Sequence, residues 1–104
     1  MLRLLPIAVL LFIVPVARAN DDEIANGEIL VEENCSRCHA VASSDQSLHP
    51  DAPAFRTLSQ RYPIEALAES LAEGISTGHP DMPEFIASPD QIDAIIAYMR
   101  SINP

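Results

Sequence analysis

The chain has 104 residues, nearly half of them hydrophobic, and pairs six arginines and no lysine with fifteen acidic residues for a formal charge of −9. So acidic a surface repels nucleic-acid phosphates and anionic lipid headgroups, which excludes nucleic-acid binding and electrostatic membrane association as functions. Two cysteines are too few for a disulfide framework, and the acidic residues are scattered, with no paired carboxylates and no nucleophile with a base that would mark an enzyme.

Residues 1–19 read MLRLLPIAVLLFIVPVARA, with Arg3 near the start, an apolar stretch from Leu4 to Val16, and Ala17 and Ala19 flanking Arg18. This is the layout of a secretory signal peptide cleaved after Ala19, leaving a single domain over residues 20–104. An uncleaved anchor is the weaker reading, because the run falls short of the roughly 20 residues a bilayer needs and contains Pro6 and Pro15. Stable membrane insertion after cleavage is therefore not expected. Losing Arg3 and Arg18 leaves four arginines against fifteen carboxylates, a formal charge of −11. That charge suits either a merely soluble surface or a partner with a complementary basic face. A domain this small usually needs a staple, such as a metal, a disulfide or a covalent cofactor. Cys35 and Cys38 are too close in sequence to bridge distant parts of a fold, which turns attention to a cofactor.

The mature segment has no internal repeat, no low-complexity tract and no alternating run that would suggest a sheet. Asp21 or Asp22 is placed to cap a first helix in which Ile24, Gly27, Leu30 and Val31 share a face and which runs into Cys35. Residues 40–52 read as a loop, with a short helical turn following at Pro53. Pro63 opens a second helix whose apolar stripe is Ile64, Leu67, Ala68, Leu71 and Ile75, closed by Gly74. The stretch STGHPDMPEF, residues 76–85, cannot continue a helix because it holds Gly78, Pro80 and Pro83. A last helix starts at Ser88 with Pro89 in its first position and Gln91 completing a capping box. Ile92, Ile95, Ile96 and Met99 line one side of it, and Asn103 with Pro104 ends it. The expected fold is all-α: one domain of three main helices with long loops. Loops of that length usually cover or bind something.

Residues 35–39 spell CSRCH, the pattern for covalent attachment of a c-type haem. Two thiols three positions apart at a helix end can add to the two vinyl groups of one haem, and the adjacent His39 then faces the iron. A thioredoxin-like pair would need a βαβ context, and a zinc site would need a second ligand pair. His49 and His79 do not form such a pair in the sequence. A plain disulfide stays open, since export permits oxidation. The occupant of the iron's other axial position decides between electron transfer and ligand binding. His49, His79, Met82 and Met99 are the candidates. Met99 belongs to the apolar stripe of the last helix and reads as core, whereas Met82 stands in a loop stiffened by Pro80 and Pro83.

From Ile24 to its end the chain resembles the class I cytochromes c, especially the small exported monohaem cytochromes of bacteria, through Gly27, Cys35, Cys38, His39, Pro53, Met82 and Tyr98. Met82 follows His39 by 43 residues, a spacing that fits a compact member. The resemblance implies a cytochrome c-like fold around one covalent haem c, with His39 and Met82 as axial ligands. It also implies that the first and last helices cross, with Gly27 and Val31 against Ile95 and Tyr98, and that the Pro53 carbonyl accepts a hydrogen bond from the axial histidine. Arg56, Arg61 and Tyr62 are candidate partners for the haem propionates, whose burial demands donors or positive charge. The lysine-ringed docking face of mitochondrial relatives cannot apply here. The function so implied is a periplasmic one-electron carrier, not an enzyme, exchanging electrons with a redox protein donor and acceptor. The alternative is a dedicated cytochrome subunit of a periplasmic oxidoreductase, which shares every motif above.

Overall fold

The computed structural model describes residues 1, 6–15, 21–75 and 79–104. The expected cleavage point after Ala19 and the expected helix breaker Gly78 lie outside the described residues. Within them the chain is helical and has no strand: α1 spans Asp21–Cys35, a 3-10 helix spans Phe55–Gln60, α2 spans Ala66–Glu73 and α3 spans Pro89–Ile102. Among the described residues no helix is long and apolar enough to cross a membrane.

Asp21, Asp22 and Glu23 occupy the first turn of α1, where their charge opposes the positive end of the helix dipole. The two aspartates lie inside the helix, so they act through charge on its first turn. Only Gly27 and Val31 of α1 are fully buried, with Ile24 and Leu30 partly buried against the core. α2 begins later than the sequence suggests. Pro63, Ile64 and Glu65 form a tighter turn whose carbonyls accept from Ala66, Leu67 and Ala68, each three residues on. Gly74 then ends α2 at φ 93°, a conformation that side chains rarely adopt.

α3 is the central element of the core. Ser88 accepts from the Gln91 amide, and the Gln91 side chain accepts from the Ser88 amide at 3.0 Å, so both halves of the capping box form. Seven of its residues are buried, and Met99, at 1% exposure, joins Val31 as a fully enclosed side chain. At its far end the Asn103 side chain donates to the carbonyls of Phe55 and Met99 and accepts from the Ser59 amide. One residue thereby ties the end of α3 to the 3-10 helix.

α1 and α3 meet at Gly27. A Cβ built there would fall on the Ala94 backbone, 2.6 Å from its carbonyl carbon, and 2.8 Å from the Tyr98 Cβ. The glycine expected from sequence is thus at the crossing, where the Ala94 backbone, which the sequence did not single out, stands nearest it beside the expected Tyr98. Ile95 is buried within the same core. Tyr98 packs at this crossing and its hydroxyl donates to the Val41 carbonyl. Burial, reinforced by the negative charge of Glu28, Glu32 and Asp45, raises its pKa above the ordinary 10.0.

Gly27→Ala should therefore lower stability by roughly 1–3 kcal/mol, because the clash is with backbone that no rotamer change can move; equal denaturation midpoints for wild type and variant would refute this. Tyr98→Phe should cost about 1 kcal/mol through the lost hydrogen bond. Because the folded pKa is raised, that contribution is whole below the unfolded value of 10.0 and fades as pH climbs through the folded one. The stability gap between wild type and Tyr98→Phe should accordingly narrow in alkaline denaturation series.

Candidate functional site

The carbonyl of Cys35 ends α1 by accepting from the amides of Cys38, at 3.2 Å, and His39, at 2.9 Å. CSRCH thus wraps as the closing turn of the helix, holding both thiols and the imidazole on one short rigid segment. Cys35 and Cys38 are unbridged and partly buried. Burial pushes the Cys35 thiol up to about 11. Catalytic redox cysteines have lowered thiol pKa values, and burial at Cys35 acts in the opposite direction.

His39 is oriented from the other side of the loop. Its Nδ1 donates to the Pro53 carbonyl at 2.8 Å, and its ring packs against Phe55 with centroids 4.9 Å apart and planes tilted by 44°. With the proton on Nδ1, Nε2 keeps its lone pair, and among the described residues Nε2 has no hydrogen-bond partner. Pro53 is itself held in place because the Phe55 amide donates to the Ala40 carbonyl at 2.9 Å.

The loop over residues 40–52 is ordered by its own polar side chains. The Asp45 carboxylate accepts from the amides of Val41 and Ala42, both at 3.1 Å, and Ser47 accepts from Ala40 at 2.9 Å. The His49 amide reaches the Cys38 carbonyl at 3.1 Å. Arg56 is half-buried and pairs with Asp45 at 3.4 Å, so its guanidinium braces this loop. Arg61 and Tyr62 lie exposed just beyond the 3-10 helix. Asp45 and Ser47 have roles that periodicity cannot reveal, since both are short polar side chains serving backbone donors nearby.

Met82 is half-buried in the loop between α2 and α3. The neck of that loop is closed by the Ile75 amide donating to the Phe85 carbonyl at 3.2 Å, and Ala87 returns to the Leu71 carbonyl at 3.1 Å. Within it the Met82 amide donates to the His79 carbonyl at 3.2 Å, placing Met82 at the end of a tight turn, directly before Pro83. Met99, by contrast, is locked in the core. His49 and His79, unrelated by sequence spacing, come together: their rings are edge to face at 5.2 Å, and they pair with Asp81 and Asp51. The recurrence of His-Pro-Asp at residues 49–51 and 79–81, too short to register as a repeat, is the signal that points to this juxtaposition.

Among protein families, the one described as Cytochrome c matches the chain over residues 24–103. No curated protein and no solved structure gives a significant match.

Proposed function

Because the chain belongs to the cytochrome c family, whose members transfer electrons with haem, we propose that it is an exported, periplasmic one-electron carrier with a single covalent haem c and His39 and Met82 as axial ligands. The observation that carries this reading is the hydrogen bond from His39 Nδ1 to the Pro53 carbonyl at 2.8 Å. It selects one tautomer, stops rotation of the ring and leaves Nε2 as the donor to a metal. An imidazole whose only purpose was packing would not need that orientation.

The residues present fit the group. Cys35 and Cys38 supply two thiols on one turn, His39 a prepared nitrogen, and Met82 a soft thioether in a loop closed at its neck. When bound, the haem supplies an iron that alternates between ferric and ferrous states. The chain's part is to keep the ligands still and the pocket dry. Phe55 shields one face of the His39 ring, and Pro83 restricts the backbone beside Met82. Neither electron uptake nor release requires a protein proton donor. The alternative, a dedicated cytochrome subunit of a periplasmic oxidoreductase, uses the same site and differs only in how its partner is held.

Acid and organic solvent should fail to extract haem from the purified protein, and replacing both Cys35 and Cys38 with alanine should prevent its maturation. A folded, colourless product with Cys35 bridged to Cys38 would overturn the assignment. Met82→Ala should abolish the methionine-to-iron charge-transfer band, lower the reduction potential and admit added ligands. His79→Ala and His49→Ala should leave the band in place.

Electron exchange with the partner should slow as salt rises, since charges more than about 10 Å apart are screened near 0.1 M. Rates indifferent to salt would favour the permanent-subunit alternative.

A further inference from the structure

The two His-Pro-Asp tripeptides take no part in the function proposed above, yet they are built alike. In each, the residue after the aspartate returns its amide to the histidine carbonyl, Ala52 to His49 and Met82 to His79, both at 3.2 Å. In each, the aspartate amide donates to the Nδ1 of its own histidine, at 3.1 Å in the first turn and 3.2 Å in the second. Pro50 and Pro80 hold the second position of each turn, where their fixed φ is favoured. The turns face one another and exchange partners. His49 Nε2 lies 3.1 Å from the Asp81 carboxylate and His79 Nε2 lies 3.3 Å from the Asp51 carboxylate. One donor atom from each of His49, Asp51 and His79 falls within 4.8 Å of the others.

We infer that these paired turns bind one divalent cation of the zinc type through His49, His79 and Asp51, whose donor atoms already cluster, with the Asp81 carboxylate, 3.1 Å from His49 Nε2, moving in as the fourth ligand. Two imidazoles and two carboxylates form a mixed nitrogen and oxygen set suited to tetrahedral zinc, and imidazole selects against calcium and magnesium. The spacing agrees. Donors about 2.1 Å from a tetrahedral ion stand about 3.4 Å apart, and the two cross-turn pairs already stand at 3.1 and 3.3 Å. The two carboxylates balance the charge of the ion. The protons also balance. Each Nδ1 accepts from an aspartate amide, so each neutral ring carries its proton on Nε2; the ion takes the place of that proton, which moves to Nδ1 and opens the amide contact there. The turns stay closed by their carbonyl bonds. The groove lined by Asp22, Glu23, Asp90 and Asp93 holds carboxylates without imidazole and is not part of the site.

Position gives the site its consequence. Met82 closes the second turn, and the first turn leads directly into Pro53, the acceptor for His39. A bound ion would join the two loops that carry these residues.

The test is calorimetric titration of Zn2+ into the haem-loaded, chelator-washed mature protein at neutral pH, with thermal unfolding and the visible spectrum recorded for every variant. The expected result is one Zn2+ per chain with a Kd near or below the micromolar range and a thermal midpoint that rises with Zn2+. His49→Ala and His79→Ala should each weaken binding at least roughly tenfold, Asp51→Asn should weaken it by a smaller factor, and Asp90→Asn should leave it unchanged. The inference is overturned if no stoichiometric binding appears up to about 1 mM Zn2+, if Ca2+ binds equally well, or if the histidine variants bind as the wild type does. It is also overturned if His79→Ala changes the haem spectrum, since His79 would then be an iron ligand. The same spectrum reports the state of the haem directly, so failure of the zinc site and failure of the cytochrome assignment are read separately.

Discussion

Everything functional in this molecule hangs from the close approach of α1 and α3 at Gly27. With no Cβ there, the Ala94 backbone and the Tyr98 side chain come into direct contact with α1. A glycine inside a helix costs roughly 1 kcal/mol relative to alanine, and here the cost is offset by a core in which Val31 and Met99 are almost wholly enclosed. The crossing fixes the axis of α1, and the end of α1 is where Cys35, Cys38 and His39 emerge. Tyr98 extends the same contact outward, because its hydroxyl holds the Val41 carbonyl just beyond His39.

From that anchor the loops are organised by short polar contacts rather than by apolar burial. The segment over residues 40–52 has no helix of its own, so its amides must find partners elsewhere. Asp45, Ser47 and the Cys38 carbonyl supply them. The result is a loop firm enough to present the Pro53 carbonyl to His39. The Met82 loop is treated in the same way, with a closed neck and an internal turn. Where the two loops touch, His49 and His79 are tied to Asp81 and Asp51 across the gap. The segment carrying the His39 acceptor and the segment carrying Met82 are therefore not independent.

The acidic character of the chain has a structural component as well as an electrostatic one. Asp21, Asp22 and Glu23 open α1 and Asp90 opens α3, positions where negative charge stabilises a helix. Asp45, Asp51 and Asp81 are occupied in loop contacts. Exposed pairs such as Arg100 with Glu65 add little, because solvent screens them.

The helices, their order and the CSRCH pattern were legible in the sequence, because each is written in residues close together along the chain. The capping box at Ser88, the glycine stop at Gly74 and the CSRCH motif are local rules, and a helix obeys local rules. Sequence also separated Met99 from Met82, since one falls on an apolar stripe and the other between prolines. Tertiary structure decided what depends on distance across the fold. It chose Ala94 as the neighbour of Gly27, set Arg56 against Asp45, and started α2 after a tighter turn than Pro63 alone suggests. It brought together two His-Pro-Asp turns whose spacing along the chain says nothing of their meeting. Periodicity reports which side of a helix is buried, but loop-to-loop contacts follow from where helices deliver the chain, and only the packed crossing of α1 and α3 sets that.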